Sequence, residues 1–188
     1  MQRINGRIEA VLHRVFRRVV PLRWFRAGED KPPAMILLLR QPHTFSAEEI
    51  QAAAERAWGL AFWSTRGSGR RILVFDEGVV LQAGPHQLSF RSWPHPYIPN
   101  PEEDVDWLVS LSQKKSWSDH KACCWIYYQT AATDLELAQC VIAKVAVELL
   151  DANCTGVFMP SEFALIPGEI ASEELRSMAA YRSSESSI

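Results

Sequence analysis

The segment KACCWIYYQT, residues 121–130, is apolar on both of its alternating faces. In an extended chain successive side chains point to opposite sides. Cys124, Ile126 and Tyr128 then face one way, and Cys123, Trp125 and Tyr127 the other. Such a strand belongs in the middle of a sheet that is covered on both sides. AMILLLR (34–40) and CTGVFM (154–159) are continuous apolar runs of strand length and read as buried strands beside it.

The remaining patterns surround these strands with helices and hairpins. Ser46 with Glu49 three residues later is a capping-box signature, and it predicts a helix through about Trp58 that ends at Gly59. LAFWSTR (60–66) reads as a short strand, and GSGRR as a turn. ILVF (72–75) and VVLQA (79–83) around DEG read as a hairpin, with LSFRSW (88–93) as a further strand. Prolines 94, 96, 99 and 101 then forbid a central strand and stiffen an extended loop. Pro101 and the acids behind it suit a short helix to about Ser112. Thr133 and Glu136 form a second capping-box signature, before a helix whose Leu135, Ala138, Val141, Ile142, Val145 and Leu149 share one stripe. A last helix runs from Ser172 to about Tyr181, and the polar tail 182–188 reads as disordered. The expected fold is an α+β domain over 34–181, a largely antiparallel sheet with helices packed on it. A chain of 188 residues with 47% hydrophobic content and seven tryptophans can fill that core.

An amphipathic basic helix is expected to precede this domain. At about 100° per residue, Ile4, Ile8, Val11, Leu12, Val15, Phe16, Val19 and Val20 share one half of the wheel. Arg3, Arg7, Arg14, Arg17 and Arg18 take the other half, and Trp24 and Phe25 follow between Arg23 and Arg26. AGEDKPP (27–33) is a linker by composition. Seven arginines against Glu9 give residues 1–26 about +6, so with a net charge of −2 the rest carries about −8. An acidic body disfavours nucleic acid as a partner. The arm instead suits a protein partner or a peripheral anionic membrane surface. Its binding residues would be Arg3, Arg7, Ile8, Leu12, Arg14, Val15, Phe16, Arg17, Arg18, Val19, Trp24 and Phe25. No run of about 18 apolar residues exists to cross a bilayer. Arginines interrupt the apolar stretch, which argues against a secretory signal, and the lack of serine argues against the alternative of a mitochondrial presequence.

No spacing specifies a reaction. Ser118, Asp119 and His120 are consecutive, so their side chains diverge rather than converge as a triad. If a strand starts at His120, Cys124 lies about 13 Å away along the same face at 3.3 Å per residue, too far for direct activation of the thiol. His120 with a cysteine or carboxylate brought near by the fold remains the enzymatic alternative. Cys123, Cys124, Cys140 and Cys154 lie in apolar runs without ligand spacing, which predicts free structural thiols, a reducing, cytoplasmic compartment and no zinc. His43, His86 and His95 read as solvated loop residues rather than a metal site, and no cofactor is expected. Glu102, Glu103, Asp104 and Asp106 suit a helix N-terminus. Trp93, His95 and Tyr97 on the proline-stiffened loop could serve as a recognition edge, against the blander reading that the loop folds back as a lid over the core.

From residue 34 to about 180, the order of elements resembles the bacterial family catalogued as domain of unknown function 4261. The resemblance rests on AMILLLRQP followed by a helix, WPHPYIP, SWSDHKACCWIYY, and LLDANCTGVFMP before a terminal helix. It implies a soluble α+β domain with no established activity, and it supplies no catalytic residue. The basic arm lies outside it. The leading expectation is a non-enzymatic binding or accessory domain of unknown ligand, attached by its arm.

Overall fold

The computed structural model describes residues 32–62, 69–76, 78–129 and 134–180. The arm, most of the linker and the tail lie outside the described residues. Seven strands form one sheet: β1 (Ala34–Leu39), β2 (Arg70–Phe75), β3 (Gly78–Ala83), β4 (His86–Trp93), β5 (Ala122–Tyr128), β6 (Cys154–Met159) and β7 (Ala164–Pro167). Their order is β2-β3-β4-β5-β1-β6-β7, with every neighbouring pair antiparallel. Four helices accompany them: α1 (Ala47–Trp58), α2 (Leu111–Asp119), α3 (Leu135–Leu149) and α4 (Gly168–Ala180). The fold is α+β, as the patterns imply.

The doubly apolar strand β5 is fourth of the seven, and β1 lies beside it in the register Ile36 to Trp125 and Leu38 to Cys123. Alternation divides β1 between two cores. Met35, Leu37 and Leu39 join Cys124, Ile126, Ala53 and Val141 under α1, α3 and α4. Ile36 and Leu38 point to the other side, where Cys123, Phe158, Leu108, Ile98 and Trp117 form a second, smaller core. The sheet is thus covered twice. Helices cover one face, and α2 with the loop leading to it covers part of the other.

Local chemistry explains the helix ends. Ser46 and Glu49 close the capping box of α1, and Gly59 ends that helix at φ +64°, a conformation that costs glycine little. Arg56 then ties α1 to α3, with Nε 2.8 Å from Glu148. Gly156 of β6 marks a close approach: a Cβ there would meet the Ile166 carbonyl oxygen at 2.9 Å and Ser116 of α2 at 3.3 Å.

Several elements differ from the sequence expectation. Leu60–Phe62 belong to no strand, and 63–68 lie outside the described residues. Phe62 is buried and bonded through its amide to Glu55 and through its carbonyl to Gln51, so it folds back onto α1. Pro101–Glu103 form only a turn, and the helix starts ten residues later. Ser110 and Gln113 make its capping box, which outcompetes the proline and acids as a start signal. Asp134 caps α3 by accepting from the Leu137 amide; Thr133 lies outside the described residues. Strand β7 has no counterpart in the sequence expectation, and α4 begins at Gly168 rather than Ser172. Trp125 is half-buried rather than enclosed, because its side of β5 is only partly covered.

The fully buried aromatics on that side, among the described residues, are Trp117 and Phe158. Replacing Trp117 by alanine should cost about 3–5 kcal/mol, and Trp125→Ala about 1–2 kcal/mol for its partial burial. Urea unfolding of both variants checks this; equal losses, or a larger loss at Trp125, would contradict the assignment of the second core.

Candidate functional site

The aromatic core on the second face gathers Trp93, Tyr97, His120 and Cys123 among the candidate residues. Tyr97 leaves the proline loop and packs among Trp117, Trp125 and Phe158, with ring centroids 5.9, 5.2 and 5.3 Å away. Trp107 meets Trp117 edge to face at 5.1 Å and lies tilted against Phe163 at 4.5 Å. Such pairs add about 0.5–1.5 kcal/mol each beyond area burial. The loop therefore lies over the sheet at Tyr97 and Ile98 as part of the core. Trp93 is half-buried under the Arg91 guanidinium, 5.0 Å from its ring, whereas His95 is exposed.

His120 stands at the C-terminal cap of α2 and is completely buried. Its Nε2 accepts from the Tyr97 backbone amide at 3.0 Å, which leaves Nδ1–H to donate to the Trp117 carbonyl. Both ring nitrogens are committed, and the neutral tautomer protonated on Nδ1 is required. Burial lowers its pKa, opposed by the bond to Trp117. His120 is thus a pin between loop and helix, not a strand-edge residue. Its neighbours in sequence do not join it: Asp119 pairs with Lys115 at 2.9 Å on the outer side of the helix.

The other candidates are equally dispersed. His86, expected to be solvated, is buried at the start of β4, with Nδ1 2.6 Å from the Tyr128 hydroxyl. Desolvation, then Lys144, hold its pKa down. His43 bonds Glu49 at 3.0 Å in the loop before α1. Among the described residues no group of three or more His, Cys, Asp or Glu side chains could hold a metal ion. Of the acid cluster, Glu102 and Glu103 lie on the turn, and Asp104 is shifted upward by burial and by Asp106. The four thiols are free. Burial pushes Cys123, Cys124 and Cys154 up to about 12, the opposite of an activated nucleophile. The arm residues Arg3, Arg7, Ile8, Leu12, Arg14, Val15, Phe16, Arg17, Arg18, Val19, Trp24 and Phe25 lie outside the described residues.

One surface emerges that sequence reasoning missed. Val109 and Leu111, on either side of the Ser110 cap, are 94% and 85% exposed. The Ser112 hydroxyl donates to Glu169, and the Gln113 amide to the Leu165 carbonyl, so the head of α2 is tied to β7 and α4. Phe163, in the turn before β7, and Ile170 of α4 are also exposed. The signal was the Ser110-x-x-Gln113 pattern. A residue before such a cap normally packs against the fourth helical residue, but here that residue is Lys114, so Val109 gains no apolar cover from it.

No family model, curated protein or solved structure matches the chain. Among the described residues no helix is long and apolar enough to cross a membrane.

Two outcomes check this arrangement. An imidazole whose folded pKa lies below its ordinary 6.5 gives stability that is complete above pH 6.5 and is lost as pH falls below that value. His120 and His86 both have this sign. The urea midpoint should fall between about pH 7 and 5.5, with a smaller slope in His120→Asn; a flat profile, or an unchanged slope in the variant, would remove His120 from its pinning role. Iodoacetamide at neutral pH should leave Cys123, Cys124 and Cys154 unlabelled in the folded protein and label all four cysteines after denaturation without reductant. Fast labelling of any of the three in the native state would contradict their raised pKa values.

Proposed function

We propose that this chain is a non-enzymatic binding or accessory domain, held to a partner protein or an anionic membrane surface by its basic amphipathic arm. The carrying observation is the commitment of His120 to the Tyr97 amide and Trp117 carbonyl. The histidine on which an enzymatic reading depended is spent on the fold, and Cys123 and Cys124, the thiols nearest it in sequence, are buried with raised pKa values. That favours binding over the alternative of an enzyme using His120 with a cysteine or carboxylate. The exposed apolar pair Val109 and Leu111, fixed by a capped helix start, supports it as well: rigid apolar surface is what protein contacts use.

The arm supplies the attachment in this reading. Near an anionic surface each arginine contributes about 1 kcal/mol, screened by salt. The test compares the full chain with a variant carrying Arg7, Arg14, Arg17 and Arg18 replaced by glutamate. It uses flotation on vesicles of phosphatidylcholine with and without phosphatidylserine, and chemical cross-linking in cells. Salt-sensitive flotation on the serine-containing vesicles supports a membrane target. A discrete cross-linked species with another protein, without flotation, supports a protein target. In either case the signal should vanish in the charge-reversed variant. A parent and variant that behave alike in both assays would overturn the role of the arm.

A further inference from the structure

The second face of the sheet is roofed over only part of its width. Helix α2 packs on β1, β6 and β7, and the loop before it reaches β5 where Tyr97 meets Trp125. None of the described helices packs on this side of β2, β3 and β4. The strand register nevertheless sets a largely apolar row across it. Leu73 stands opposite Val80, Val80 opposite Ser89, and Ser89 opposite Tyr127, which stacks on Trp125 at 5.2 Å. Phe75, two residues after Leu73 and so on the same face, is 54% exposed. Val80 is 8% exposed and yet belongs to neither apolar core. Apolar surface of this kind marks a contact.

The row ends at Ala34, which pairs with Tyr127 and opens β1. The Pro33 carbonyl accepts from the Tyr128 amide at 2.9 Å, so the chain preceding residue 32 is delivered to the end of this row. Residues 21–33 can extend at most about 45 Å, whereas the row from β2 to β5 is only ~14 Å wide. The helix expected over residues 4–20 would be about 25 Å long, and the acidic body attracts a basic segment. We infer that the occupant of this face is the chain's own arm, seated through Ile8, Leu12, Val15 and Val19 on Leu73 and Val80 with its arginines turned outward. The inference goes beyond the attachment proposed above. Docked in this way, the arm covers its apolar stripe and offers a partner or a membrane its charge alone.

The test places a nitroxide on Ala10→Cys, which falls among the arginines of the helical wheel, and follows the amide signals of the full chain by NMR. The parent treated with the same reagent controls for the native thiols. The signals of Leu73, Val80 and Ser89 should lose most of their intensity, while those of Ala53 and Val145 under the helices of the first face keep theirs. Leu12→Asp with Val15→Asp should restore the lost signals. Undiminished signals at Val80 and Ser89, or a loss that survives both substitutions, would overturn the docking. Equal loss in a nitrogen-15 chain without nitroxide, mixed with a nitroxide-bearing chain, would make a second copy the occupant and overturn it too. Flotation and cross-linking read the arginines instead. A chain that floats without loss at Val80 refutes the docking alone, and one that shows the loss but neither floats nor cross-links refutes the attachment alone.

Discussion

A sheet whose central strands are apolar on both faces must be covered twice, and the second cover is the harder one to build. Helices α1, α3 and α4 bury the first face by ordinary amphipathic packing. On the second face the material is an irregular, proline-rich loop and a nine-residue helix with little apolar surface of its own. Backbone polar groups brought against a core need partners. His120 supplies one by accepting from the Tyr97 amide and donating to the Trp117 carbonyl. Tyr97, Trp107 and Trp117 can then pack on Phe158 as a dry aromatic layer.

That division of labour bears on function. A buried histidine with two fixed partners is a structural part, and buried thiols held near 12 are poor nucleophiles at neutral pH. What the molecule offers outward is different in kind. Val109 and Leu111 stand in water at the head of α2. Exposed apolar side chains held by a capped helix start suit a protein contact.

The strands were legible where side-chain period and burial agree. The double alternation of β5 revealed its central place, and the apolar runs of β1 and β6 revealed their burial. The Ser46–Glu49 box located α1 because its chemistry is local. Legibility failed where long-range contact decides. Pro101 with its acids and Ser110 with Gln113 are rival start signals a few residues apart, and docking against β6 and β7 selects the second. Strand β7 is four residues long and exists by pairing with β6. His86 and His120 look like polar loop residues in sequence; only the fold provides the Tyr128 hydroxyl and the Tyr97 amide that allow their burial. The exposed pair at the head of α2 was hidden by the same misplaced helix start.

The junction between the proline loop and α2 depends on the tautomer of one ring. Nitrogen-15 NMR of His120 in the intact protein reads it directly. The hydrogen bonds require the proton on Nδ1, with Nε2 unprotonated, and this neutral form should persist on acidification below the ordinary imidazole pKa of 6.5. A ring protonated on Nε2 at neutral pH, or one that titrates at 6.5 or above, would show that Tyr97 and Trp117 are not joined through it.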